Sequence, residues 1–135
     1  MNGKTPEEVF LSFLYPEVKD LAKNFLTLIS ATIVFSITFA EKVVDFAVAT
    51  RAQKSAVVTS YAVLIASLGC CGLGLYTVFM AAEEASGSIV YEYGSDFRTL
   101  TKVAYHWLDA AGALYGLGLV LLVVVSLSKF WPSQK

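Results

Sequence analysis

The apolar residues of this chain gather into three long blocks, Asn24–Ala40, Ser55–Ala82 and Ala110–Ser128, none of which contains Asp, Glu, Lys or Arg. An α-helix rises about 1.5 Å per residue, so about 20 apolar residues cross a hydrocarbon core of ~30 Å. The middle block, twenty-eight residues between Lys54 and Glu83, is longer than that and leaves length for tilt. The first block has seventeen residues and sits at the lower limit, but Lys23 and Lys42 at its ends can snorkel outward and lengthen it. The pattern predicts an all-α integral membrane protein. A short interfacial amphipathic helix occupies residues 1–15, and a three-span helical bundle occupies residues 16–135, with spans at about 22–44, 56–82 and 103–128.

Local signals add boundaries. Thr5-Pro6-Glu7-Glu8 is a helix start: Thr5 caps, Pro6 suits the first helical position and Glu8 completes a capping box. The apolar stretch to Leu14 is too short to span, so it lies in the headgroup region or folds back on the bundle. Pro16 disfavours helix at Tyr15 and predicts a break there, with a new helix starting at about Pro16, Glu17 and Asp20 in its first turn, and running to about Thr50. Arg51-Ala52-Gln53-Lys54 then reads as a polar turn that makes the first two spans an antiparallel hairpin. Between Glu83 and Lys102 lies an acidic connection in which turn signals flank Ile89–Tyr93, a segment with extended character. Tyr105 and Trp107 at one end of the third span, and Phe130 and Trp131 at the other, mark its interfaces.

Composition agrees. Of the 135 residues 56% are apolar and 16% charged, against about 25% charged in a soluble domain. A net charge of −1 argues against a nucleic-acid partner. No cleavable signal is evident, and the first apolar block is taken as retained. Five Lys or Arg fall on each side of a three-span topology, so the positive-inside rule fixes no orientation. The expected location is a bacterial inner (plasma) membrane.

Three constellations carry candidate chemistry. On the first span Asp20, Asn24, Thr27, Ala31, Val34, Thr38, Glu41 and Asp45 recur in steps of four and three, which places them on one helical face. If copies assemble with that face inward, Thr27, Thr38, Glu41 and Asp45 would line a polar path with carboxylate rings that favour cations. The competing reading is that the hydroxyls bond their own helix carbonyls and the stripe is a helix contact. On the second span Ala62, Ala66, Cys70 and Gly74 form a row of small residues spaced by four, a ridge suited to right-handed crossings; Gly112 and Gly116 form a small pair on the third. The tetrapeptide Gly-Leu-Gly-Leu occurs in both, at Gly72–Leu75 and Gly116–Leu119. At the head of the third span His106 and Asp109 share a face and make a candidate ion or proton site. Cys70 and Cys71 sit mid-span, where packing is expected rather than lipidation, a disulfide framework or zinc ligation.

No metalloprotease, phosphate-loop or nucleophile-elbow signature is present, so neither an enzyme nor a bound cofactor or metal is expected. Two functions fit. One is a self-assembling membrane protein, held by small-residue helix faces, that forms a cation-permeable pore or perturbs the bilayer. Holins and toxin-like effectors offer an analogy of size and architecture only. The other is a non-catalytic accessory or scaffold subunit of a larger membrane complex. Membrane lipids and either further copies or a larger assembly are the partners expected.

Overall fold

The computed structural model describes residues 5–38, 49–87 and 96–128. Within them the backbone is helical: α1 (Pro6–Val9), a π-helical segment (Phe10–Leu14), α2 (Tyr15–Thr38), α3 (Arg51–Ala85) and α4 (Phe97–Ser128). Three helices, Pro6–Thr38, Arg51–Ala85 and Phe97–Ser128, are long and apolar enough to cross a membrane.

The helix does not break at Tyr15–Pro16. α1, the π segment and α2 run on continuously, with the Tyr15 N–H bonded to the Phe10 carbonyl five residues back. In a regular α-helix Pro16 would leave the Ser12 carbonyl without a donor and press its ring against it. The wider π turn on the N-terminal side of Pro16 relieves that clash, as π-bulges do. The N-terminal segment is therefore an extension of α2 that packs on α3 and α4, not a separate interfacial helix or one folded back behind a break. Phe10, only 3% exposed, packs against Ala81, Ala82 and Phe97, its ring 5.6 Å from that of Phe97. The capping box is formed, with the Glu8 N–H donating to Thr5 Oγ1 and the Thr5 N–H donating to Glu8 Oε2.

Arg51–Lys54 is not a turn but the first turn of α3. Thr50 caps it, and Gln53 closes a second capping box by accepting from the Thr50 N–H. Gln53 Nε2 also donates to Ser128 Oγ, tying the start of α3 to the end of α4. The extended segment expected around Ile89–Tyr93, and Phe130 and Trp131, lie outside the described residues.

α3 and α4 pack antiparallel. Along α3 the buried positions run Val57, Ser60, Leu64, Ser67, Cys71, Gly74, Val78 and Ala81 in steps of three and four, with Ala82 beside the last; along α4 they are Phe97, Ala104, Ala111, Gly118 and Val125, in steps of seven. A strict seven-residue repeat is the seam of a left-handed pair. Val57 meets Val125, Leu64 covers Gly118, Cys71 meets Ala111, Leu108 covers Gly74 and Val78 meets Ala104. The four-spaced ridge predicted on α3 is not this seam. Of its members only Gly74 is buried; Cys70 is half-buried, and Ala62 and Ala66 are exposed.

α2 lies antiparallel along α3, with Val18 beside Val78 and Ala104, and Ile29 beside Cys71 and Ala111. Cys71 Sγ donates to the Ala22 carbonyl at 3.6 Å, and Thr32 Oγ1 and Tyr115 Oη share a hydrogen bond at 3.0 Å. Beyond Ile29 the described part of α2 contains no buried residue.

This register aligns the charges. Cys71 stands level with Ala22–Leu26 of α2 and Ala111 of α4. Below that level residues 24–38, 55–71 and 110–128 contain no charged side chain. The result is a charge-free slab whose described lengths run about 22–28 Å on the three helices, approaching the ~30 Å hydrocarbon core of a bilayer. Above it the helices continue for about 20 Å as a three-helix head bearing Lys19, Asp20 and Lys23 on α2, Glu83 and Glu84 on α3, and Arg98, Lys102, His106 and Asp109 on α4.

Candidate functional site

The polar stripe of the first span is a real face, and it points away from the rest of the chain. Asp20, Asn24, Thr27, Ala31, Val34 and Thr38 are all exposed. Val18, Ala22 and Ile29, the buried residues of α2, lie on the opposite side of the helix. Two hydroxyls of the stripe bond within their own helix: Thr27 Oγ1 donates to the Lys23 carbonyl and Thr38 Oγ1 to the Val34 carbonyl. That satisfies the donors and leaves the oxygen lone pairs facing outward. Glu41 and Asp45 lie outside the described residues.

The small residues divide into an inner and an outer set. A Cβ on Gly74 would lie 3.0 Å from Leu108 Cδ2, so this glycine belongs to the internal seam. Gly112 and Gly116 have nothing within 4 Å of such a Cβ, and Gly116 is exposed. Ala62 and Ala66 continue along the outside of α3 with Thr59 and Gly69, in steps of three and four. The outer set does not hold this chain together. It offers a shallow surface on which another helix can approach closely.

The repeated Gly-Leu-Gly-Leu acquires a structural meaning. Its second glycine, Gly74 in one copy and Gly118 in the other, receives a leucine from the opposite helix. Each of those leucines, Leu64 and Leu108, stands ten residues before the second glycine on its own helix. The two contacts are related by an approximate two-fold between α3 and α4, and Tyr61 with Tyr105 and Ala66 with Ala110 obey the same 44-residue offset.

Two residues absent from the expected set organise the seam. Ser60 and Ser67 are fully buried; Ser60 Oγ donates to the Gly118 carbonyl at 2.8 Å and Ser67 Oγ to the Ala111 carbonyl at 2.7 Å. Among the described residues no buried side-chain nitrogen or oxygen lacks a partner. The signal for these serines was a spacing of seven: Ser60, Ser67, Gly74 and Ala81 on one span against Ala104, Ala111 and Gly118 on the other.

His106 and Asp109 are both exposed on the outer face of α4, above the charge-free slab and beside Tyr105 and Trp107. Asp109 thus stands at the edge of the charge-free slab. Among the described residues no three His, Cys, Asp or Glu gather into a metal-binding group. No protein-family model, curated protein or solved structure matches the chain.

Proposed function

We propose that the chain is a self-assembling membrane protein whose copies meet through the outer faces of α2 and α3 and enclose a cation-permeable path lined by α2. The observation that carries this is the direction of the stripe. Asp20, Asn24, Thr27 and Thr38 lie on the side of α2 opposite its buried residues, so the fold makes no internal use of them. Outward polar groups along a membrane-length helix are costly against lipid and favourable against a second polar face or water. Exposed Ala62 and Ala66 of α3 supply a surface on which a helix of a neighbouring copy can approach closely.

The test is cation flux into liposomes holding the purified protein, together with the mass of the complex extracted in mild detergent. Thr38→Leu and Glu41→Gln are expected to lower flux severalfold while the oligomer mass persists. Wild-type flux no greater than that of protein-free liposomes would remove the pore. A single copy extracted with a different, stoichiometric membrane protein would replace self-assembly with the accessory-subunit role.

A further inference from the structure

A groove of about 400 Å³ runs between α2 and α3, lined by Tyr15, Lys19 and Lys23 on one side and Gly72, Leu75, Tyr76 and Phe79 on the other. We infer that this groove is a binding site for an anionic phospholipid, with its phosphodiester on Lys19 and Lys23 and an acyl chain over Gly72.

The first argument is position. Gly72 and Lys23 each adjoin the level of Cys71 and Ala22, where the charge-free slab ends. From Gly72 to Phe79 the groove rises about 10 Å along α3, through the layer that headgroups occupy. The second is charge. Two lysines line the groove and no acidic residue does, and Lys19 Nζ lies 5.5 Å from the centre of the ring of Tyr15, another lining residue. The third is shape. Apart from the lysines and tyrosines the walls are apolar, and a Cβ on Gly72 would meet nothing within 4 Å, leaving a shallow depression on α3 for a chain. Cationic groups above an apolar depression complement one molecule with an anionic head and a hydrocarbon tail, and basic pockets between membrane helices bind such lipids. A free phosphate would use the lysines and leave the depression empty.

The test uses the full chain in nanodiscs of equal phosphatidylglycerol and phosphatidylcholine, released gently and weighed by native mass spectrometry. Phosphatidylglycerol is expected to be retained severalfold over phosphatidylcholine. Lys19→Gln and Lys23→Gln should each lower that preference by about fivefold, the size expected for one lysine near an anionic surface. Gly72→Leu, which has open space at its Cβ, should reduce retention of the lipid with both lysines intact. Lys54→Gln, which removes a cation at the opposite end of α3, should change nothing. Equal retention of the two lipids, an equal loss in Lys54→Gln, or displacement of the lipid by millimolar inorganic phosphate would each overturn the assignment. None of these readouts depends on ion flux, so the groove stands or falls apart from the pore.

Discussion

Leu64 of α3 sits directly over Gly118 of α4: a Cβ on that glycine would lie 2.7 Å from Leu64 Cδ2 and 2.8 Å from Cγ. Leu64 is fully buried, so it has little room to yield. Gly118→Ala should therefore destabilise the α3–α4 hairpin by about 1–3 kcal/mol, the usual cost of overpacking. Gly116→Ala, with open space at its Cβ, should be neutral. Reversible unfolding in mixed micelles would measure both. Leu64→Ala should cost less in the Gly118→Ala background than alone, because the added methyl fills part of the space the leucine vacates; a double variant no better than the sum of the singles would mean that the contact is not the cause.

Ser60 and Ser67 each hold a backbone carbonyl of the facing helix. Alanine fits the same space, and the carbonyls keep their own helical partners, so Ser60→Ala and Ser67→Ala should each cost on the order of 1 kcal/mol. The sites are about 10 Å apart along α3, so the double variant should show close to the sum. Ser67→Leu should be far worse than Ser67→Ala, because the Ala111 backbone approaches there. A serine pair that can be removed with no change in the unfolding midpoint would show that shape alone aligns the helices.

The N-terminal helix is held by Phe10 and aimed by the π turn before Pro16. In Pro16→Ala the segment can relax to a regular helix, which turns everything before it by about 100° and takes Phe10 off Ala81, Ala82 and Phe97. Hydrogen exchange across residues 5–14 should rise, approaching the roughly hundredfold expected for Phe10→Ala if the docking contact is worth about 3 kcal/mol. Faster exchange in Phe10→Ala with none in Pro16→Ala would show that docking, not proline, makes the wide turn.

The three membrane-length helices were legible in the sequence because the transfer energy of an apolar run accumulates over many residues. Which side of each helix faced inward was not. Two rows of small residues cross at Gly74, one with Ala62, Ala66 and Cys70 and one with Ser60, Ser67 and Ala81. Only the partner helix chooses between them, and α4 presents Ala104, Ala111 and Gly118 at intervals of seven. Pro16 misled for a related reason, since its clash is resolved by a wide turn followed upstream by Phe10 in its tertiary contact. The polar face of α2 could be read from spacing alone. Its outward direction required the position of Ile29 against Cys71 and Ala111.

The charge-free slab has unequal margins on its three helices. Above the level of Cys71, α3 carries eleven more uncharged residues, Gly72–Ala82, whereas α2 meets Lys23 at once and α4 meets Asp109. If the surrounding bilayer thickens on that side, α3 can sink further without drawing a charge into hydrocarbon. α2 and α4 can do so only by tilting or by pulling an ammonium and a carboxylate inward, at a cost of fractions of a kcal/mol per Å. Because the three are packed together, that unequal strain would act as a shear on the contacts of α2 with α3. In a bilayer, thickening on that side would therefore load the three helices unequally.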